Sequence, residues 1–245
     1  MNKTIPSFTF VALLLLFTSA SAQQTTQKFL SKIPALPTNI CEANDEVIMK
    51  WNDRILALKN EMIELQTNEK NQMEQAQANT QPRMDMFEPA NAEKIQKLGE
   101  EIQIVETDAN AILTEIITPF IEKHSSLELK YSALFEQLEQ QIQDAKSQGR
   151  NTTIIEKKIC DAKKEKCAEM SVLRSDYLTD FKNHLDKLIN LGIKGNELSD
   201  EMTRMSYSGY TFHTQYGFWL GFLIGYVDEL SHFYDDVPIC NTEKI

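Results

Sequence analysis

The sequence predicts an all-α protein, an elongated antiparallel helical bundle or coiled-coil hairpin that is stapled by disulfides. The chain of 245 residues holds only 8 glycines and 7 prolines, too few to supply the turns of an all-β sandwich or barrel. Apolar residues recur at alternating spacings of three and four along most of the chain, which is the period of an amphipathic helix. All four cysteines follow a segment that has the features of an export signal.

Residues 1–22 are predicted to be a cleaved signal peptide. Lys3 supplies the basic start, residues 10–17 form the apolar run, and Ala20-Ser21-Ala22 supplies the small residues of a cleavage site before Gln23. The apolar run is too short to span a bilayer, and polar residues follow it directly. We therefore expect an extracytoplasmic protein, secreted or periplasmic.

The next residues predict an extended lead-in and then the first helix. Residues 23–43 carry Pro34 and Pro37, which favour an extended conformation. Asn44 is a suitable N-cap for a helix that runs to about Asn79. The apolar seam of this helix consists of Ile48, Trp51, Ile55, Leu58, Met62 and Leu65.

The end of the first helix and the connection after it are both polar. Residues 64–81 are rich in Gln, Asn and Glu, which predicts a solvated helix tip. Residues 78–89 contain two prolines and predict a mobile connecting loop, with Pro89 close to the start of the second helix.

A second seam starts at Ala90 and continues to Gly149, with Pro119 inside it. Ser125 and Glu128 have the spacing of a capping box, which could restart a helix after the proline. The sequence therefore leaves open whether this segment is one kinked helix or two. The seam consists of Ile95, Leu98, Ile102, Val105, Ala109, Ile112, Ile116, Leu127, Tyr131, Leu134, Leu138, Ile142 and Ala145.

Two further helices are predicted after the turn at Gly149. A capping box of Thr153 and Glu156 begins the third helix, which is expected to stop near residues 191–192. A short piece is predicted from Ser199, and a final helix is predicted over residues 211–234. The seam of the third helix consists of Met170, Leu173, Tyr177, Phe181, Leu185 and Leu188.

The four cysteines predict two disulfides formed in an oxidising compartment. Cys160 and Cys167 lie seven residues apart on a predicted helix, about 10 Å along its axis, whereas the Cα atoms of a disulfide lie within about 7 Å. Each of them is therefore expected to pair with Cys41 or Cys240. Aligning the predicted helices about their turns brings Cys41 near Cys167, but the sequence alone leaves open which of the two helix cysteines pairs with Cys41.

Residues 216–227 form the most apolar segment after the signal, and glycine recurs in it at every fourth position. Small residues at this spacing let helix backbones approach closely, as in packed membrane helices, but 12 residues cover only about 18 Å of a hydrocarbon core of about 30 Å. The favoured interpretation is a central core helix. The candidate residues for helix packing or membrane contact are Gly217, Gly221, Gly225, Trp219 and Phe222.

Charge and motifs argue against nucleic-acid binding and give no support to catalysis. The formal net charge of −11 repels phosphate backbones. No nucleophile motif and no phosphate-binding glycine loop occurs in the sequence. Glu229 and His232 match half of a di-iron bundle motif, but the second half is missing, and a solvated acidic helix end is expected. We predict no catalytic, cofactor-binding or metal-binding residue.

The function expected from these features is binding or structural. The chain is predicted to be an exported helical protein with one domain over residues 44–240 and a tail over residues 241–245. It is expected to act through helix–helix contacts with a protein partner or with itself. The alternative, less favoured, is a membrane-active protein that inserts or oligomerises through the Gly217-Gly221-Gly225 helix. A helical holdase chaperone is a third class, which the acidic charge does not support in particular.

Overall fold

The computed structural model describes residues 24–38, 40–238 and 240, so the predicted signal peptide and the tail at 241–245 lie outside the described residues. In the described part, five helices pack against each other and strand is almost absent, which confirms the all-α fold class. The helices are α1 over residues 24–32, α2 Asp45–Ala78, α3 Pro89–Ser147, α4 Thr153–Ser206 and α5 Gly217–Ser231.

The connection between α2 and α3 is tied to the end of α4. It contains the two-residue strand β1, Gln81–Pro82, which pairs antiparallel with β2, Tyr207–Ser208, and a 3-10 turn over Met84–Phe87. The backbone N–H of Arg83 also donates to the carbonyl of Ser206 at 3.0 Å. The predicted mobile loop is therefore a hydrogen-bonded connection, because the chain after α4 offers it a strand partner.

Side chains cap the starts of α2 and α4. The Asn44 carboxamide oxygen accepts the N–H of Val47 at 3.0 Å, as predicted for the start of α2. At the α3–α4 turn, the Thr152 hydroxyl donates to the Glu156 carboxylate at 2.9 Å. The side chain that caps a backbone N–H here is Asn151, whose carboxamide oxygen accepts the N–H of Thr153 at 2.8 Å, so the predicted capping box of Thr153 and Glu156 is wrong.

The predicted extended lead-in is wrong over residues 24–32, which form α1. Phe29 is completely buried and Thr26 is nearly so, so this segment contributes a core side chain that stabilises a helical turn. The Lys32 ammonium contacts the Glu61 carboxylate of α2 at 2.6 Å and lowers the pKa of that carboxyl. The prolines begin only after α1 has ended.

Two predicted interruptions do not break the helices. Pro119 lies inside α3, which is a single helix. The burial of Ile112 and Ile116 in the preceding turns offsets the cost of the backbone hydrogen bond that the proline removes. Helix α4 continues through Gly192 to Ser206, so the predicted stop at residues 191–192 and the separate piece from Ser199 are wrong. The missing side chain of Gly192 lets the backbone of Trp219 in α5 approach closely.

The described chain groups into two compact units, and α2 to α5 each contribute residues to both. The first unit comprises Leu56–Ile112, His184–Val227 and the described part of Met1–Pro34. The second comprises Ala35–Ile55, Leu113–Asn183 and the described part of Asp228–Ile245. In the first unit, a buried cluster of α3 and α4 side chains consists of Leu98, Val105 and Leu198, with Ile102, Leu191, Met202 and Met205 packed against it.

Aromatic side chains and both disulfides hold the second unit together. Trp51 packs against Phe233 and Tyr234 with ring centroids 5.8 and 5.9 Å apart, and its indole N–H donates to the carbonyl of Leu230 at 3.0 Å. Phe120 stacks on Tyr177 with centroids 4.3 Å apart. The Trp51 contacts join α2 to the C-terminal residues, and the Phe120–Tyr177 stack joins α3 to α4.

The disulfides are Cys41–Cys167 and Cys160–Cys240, with Cα–Cα distances of 5.8 and 5.7 Å. The prediction that each helix cysteine pairs with one of the terminal cysteines is confirmed. Two disulfides indicate folding in an oxidising, extracytoplasmic environment. No helix in the described part of the chain combines enough length with enough apolar character to cross a membrane.

Candidate functional site

Helix α5 contains the residues that the sequence predicted for helix packing or membrane contact, and its first turn positions the candidate site. The side chains of Trp219, Leu223, Tyr226, Leu230 and Phe233 are all nearly or completely buried, in agreement with the core-helix interpretation. The predicted helix start at residue 211 is wrong, because α5 begins at Gly217. Buried acceptors from α2 and α4 hold the residues before it out of the helix.

Glu69 of α2 caps the first turn of α5. Its side chain is only 7% exposed, and its two carboxylate oxygens accept the backbone N–H groups of Gln215, Tyr216 and Gly217, the last two at 2.8–2.9 Å. A carboxylate at this end of a helix also interacts favourably with the helix dipole. Most of residues 64–81 are exposed, as predicted, but this contact buries Glu69.

Two buried polar residues of α4 complete the cap. The Asn196 carboxamide oxygen accepts the N–H of Phe218 at 2.9 Å. The Asp200 carboxylate accepts both the N–H and the hydroxyl of Thr214 at 2.7 Å. These two residues are 4% and 6% exposed, so their polar groups are satisfied by the chain itself and fix the direction of α5.

Glycine allows α4 and α5 to touch backbone to backbone. A Cβ at Gly192 would lie 2.5 Å from the Cα and 2.6 Å from the N of Trp219, and a Cβ at Gly217 would collide with the Asn196 carboxamide. By contrast, Gly225 has open space around a Cβ, and Gly221 has only the Gln66 amide at 4.0 Å. Of the three repeated glycines, close packing thus requires Gly217.

The anchored first turns of α5 border an apolar groove in the first unit. The groove contains a cavity of about 40 Å³ between α3, α4 and α5. Apart from the Glu106 carboxylate, its walls are apolar or glycine; they are formed by Ile102, Val105, Ala109, Leu191, Gly192, Gly195, Phe218 and Phe222. Phe218 is 52% exposed, although α5 is more apolar than α2, α3 and α4.

The size of the groove defines what it can accept. Pockets for drug-sized molecules have volumes of about 300–1,000 Å³, whereas a cavity that holds one water molecule needs about 10–15 Å³. A cavity of about 40 Å³ accommodates the tip of one apolar side chain, beside the exposed ring of Phe218. The geometry is that of a hole and an aromatic contact on a helical surface.

The acidic residues at the end of α5 are held by charged and aromatic neighbours in the second unit. Burial raises the pKa of Glu229, which lies next to Tyr177, Arg174 and His232. Asp236 pairs with Arg174 at 3.0 Å, and the His232 imidazole contacts the exposed Asp235 at 2.9 Å. In the described part of the chain, no group of three His, Cys, Asp or Glu is arranged to hold a metal ion.

Comparison of the chain with protein-family models, with curated proteins and with solved structures finds no match.

The residues that the sequence predicted for helix packing or membrane contact lie on α5, and they include only part of the groove. The sequence identified Phe222 and Trp219, which the structure brings to the groove and to the core respectively. It missed Phe218 and the cap residue Glu69. A Glu inside an amphipathic helix usually lies on the solvated face, so only the tertiary contact with residues 215–217 reveals its role.

Proposed function

We propose that this chain is an exported, non-catalytic helical binding protein that acts through helix–helix contacts with a protein partner or with a second copy of itself. The observation that carries the proposal is the apolar groove beside the exposed Phe218. Large aromatic side chains that border a small apolar hole are typical anchors of protein interfaces. Export is supported by the signal-like residues 1–22 and by the two disulfides.

Helix-in-groove binding suits this site better than binding of a small molecule. The walls come from three helices, so a fourth helix can place one apolar residue in the hole and cover Phe218. The three buried cap residues and the Gly192 contact hold α5 rigidly, so the groove exists before a partner arrives. A preformed site lowers the entropic cost of binding.

The experiment uses the mature chain with both disulfides intact and two labelled peptides of about 18 residues. One peptide is an amphipathic helix with apolar residues at spacings of three and four, and the other has the same composition in scrambled order. Fluorescence anisotropy measures both affinities, and sedimentation velocity measures self-association. We expect the amphipathic peptide, or a second copy, to bind at least about tenfold more tightly than the scrambled peptide binds.

Variants assign the binding to the groove. Phe218→Ala removes the exposed ring and is expected to weaken binding about tenfold. Gly195→Ala places a methyl group in the groove, where a Cβ would contact Phe218 and Val105 at 3.5 and 3.6 Å without a clash, and it should also weaken binding. Ile104→Ala is the matched control, because Ile104 is 57% exposed on α3 but does not line the groove. Equal affinity of all variants would contradict the proposal.

The membrane-active alternative makes a different prediction for the same protein. It requires α5 side chains such as Trp219 and Leu223, which are completely buried here, to leave the core. Flotation of the oxidised and the reduced protein with neutral and anionic liposomes tests this. Stable association with lipid in either state would favour the alternative over the groove.

A further inference from the structure

A second cavity lies between α3 and α4 in the second unit and has a volume of about 220 Å³. The residues that line it lie between positions 116 and 123 of α3 and between positions 173 and 180 of α4, at spacings of three and four. Residues at these spacings share one face of a helix, so each helix turns a continuous face toward the cavity. The cavity shares no residue with the groove of the first unit.

The floor of this cavity is apolar. Ile116 of α3 and Leu173 and Tyr177 of α4 line it and are nearly completely buried. Phe120 also lines it and stacks on the Tyr177 ring with centroids 4.3 Å apart. A ligand that enters the cavity therefore meets aliphatic and aromatic carbon, which favours an apolar group at this depth.

Charges of opposite sign occupy the rim. Lys123 comes from α3, and Asp176 and Asp180 come from α4, one helical turn apart; all three residues are exposed. Within the described part of the chain, the side chains of Lys123 and Asp176 form no hydrogen bond and no ion pair, although they line the same cavity from opposite walls. The rim thus offers a cation on one wall and carboxylates on the other, with space between them.

We infer that this cavity binds a small zwitterion with an apolar side chain, the chemistry of a free aliphatic α-amino acid. The ligand carboxylate pairs with the Lys123 ammonium, the ligand ammonium pairs with the Asp176 carboxylate, and the ligand side chain covers the apolar floor. Pockets for drug-sized molecules have volumes of about 300–1,000 Å³, so a cavity of about 220 Å³ suits a smaller ligand of this kind.

Ligands of other charge fit the rim less well. A cation without a carboxylate would face the Lys123 ammonium, and an anion without an ammonium group would face the carboxylates of Asp176 and Asp180. Like charges at close range oppose binding. An uncharged apolar molecule would cover the floor but engage none of the rim charges. A zwitterion satisfies the apolar floor and both walls.

The test compares three ligands with the same branched carbon chain by isothermal titration calorimetry on the mature, disulfide-intact protein. L-leucine carries both charges, 3-methylbutylamine lacks the carboxylate, and 4-methylpentanoate lacks the ammonium group. We expect leucine to saturate one site per chain within about 10 mM. Each of the other two ligands should bind at least about tenfold more weakly than leucine.

Two variants assign each charge of the ligand to its partner. Lys123→Gln should weaken leucine binding at least about tenfold without weakening the binding of 3-methylbutylamine. Asp176→Asn should weaken leucine binding at least about threefold, because Asp180 remains, without weakening the binding of 4-methylpentanoate. The matched controls are Lys164→Gln and Glu122→Gln, exposed changes on α4 and α3 outside the cavity, which should leave all affinities unchanged.

The outcomes decide the inference independently of the groove. No saturable binding of leucine, or binding of either other ligand as tight as that of leucine, would overturn it. Leucine binding that neither Lys123→Gln nor Asp176→Asn weakens, or an equal loss for all three ligands in a variant, would also overturn it. Phe218→Ala, which tests the groove, should leave leucine binding unchanged, and a loss in that variant would contradict binding in this cavity.

Discussion

Replacing Glu69 by alanine should destabilise the protein through the start of α5. The carboxylate accepts three backbone N–H groups, from residues 215, 216 and 217, and both of its oxygens are used. Glu69→Ala leaves these donors without their acceptor in a largely buried site. A hydrogen bond to a charged group contributes about 1.5–3 kcal/mol, and a buried unsatisfied donor costs about 1–3 kcal/mol.

The expected loss is smaller than three times those values. Gln215 is exposed, so water can reach its N–H, and removing Glu69 also removes the desolvation penalty of a buried carboxylate. We therefore expect Glu69→Ala to lower the free energy of unfolding by about 2–4 kcal/mol. Glu69→Gln keeps one acceptor oxygen and places an NH₂ group where the other was. The loss of unfolding free energy in this variant should be about half of that in Glu69→Ala.

Urea denaturation of the oxidised protein measures these changes, with the transition midpoint followed by circular dichroism. The matched control is Glu64→Ala, an exposed change on the same helix, which should alter stability by less than about 0.5 kcal/mol. Amide hydrogen exchange at residues 215–218 should accelerate in Glu69→Ala. A loss no greater than that of Glu64→Ala would refute the argument that a buried carboxylate anchors α5.

Three further changes test other parts of the structure. Gly192→Ala should lower the free energy of unfolding by at least about 1–3 kcal/mol, measured by thermal or urea unfolding, because a Cβ would meet the Trp219 backbone. Gly99→Ala, where a Cβ has open space, should raise it by about 0.5–1 kcal/mol. Changes of the same sign in both variants would contradict the packing. Burial raises the pKa of Glu229, so the protonated carboxyl contributes most to stability below the unfolded pKa of 4.5, and this contribution is lost as the pH rises through the folded pKa. Glu229→Gln should therefore raise Tm relative to the unsubstituted protein at pH 7 but not near pH 4. An increase in Tm that does not depend on pH would contradict the shift. Replacing Cys160 and Cys240 together by serine should lower stability by about 2–5 kcal/mol. Peptide mapping of this variant without reduction should still find the Cys41–Cys167 bridge, and free thiols at Cys41 and Cys167 would contradict the observed connectivity.

Local periodicity predicted the helices because most of their stability depends on an apolar stripe that faces the core. The seam residues Ile55, Met62 and Val105 are buried as the alternating spacing requires. Helix geometry also predicted that Cys160 and Cys167 each pair with a terminal cysteine, but the sequence left open which of them pairs with Cys41.

The remaining features depend on contacts between distant parts of the chain. Gly192 has the signal of a helix end, yet it lies within α4 because its missing side chain lets the Trp219 backbone approach. Glu69 contacts residues almost 150 positions away, and no local pattern encodes that contact. Phe218 lies among apolar neighbours on α5, and only the packing of α3 and α4 determines that its ring stays half-exposed beside the groove.

Photo-crosslinking tests most directly whether the groove is a binding surface. A photoreactive phenylalanine analogue replaces Phe218 in one preparation and Ile104, the exposed α3 residue outside the groove, in another. Each disulfide-intact protein is irradiated with the labelled amphipathic peptide, and the adducts are identified by mass spectrometry. The account predicts a covalent adduct at position 218 and little or none at position 104. Equal labelling at both positions, or labelling at 104 alone, would contradict it.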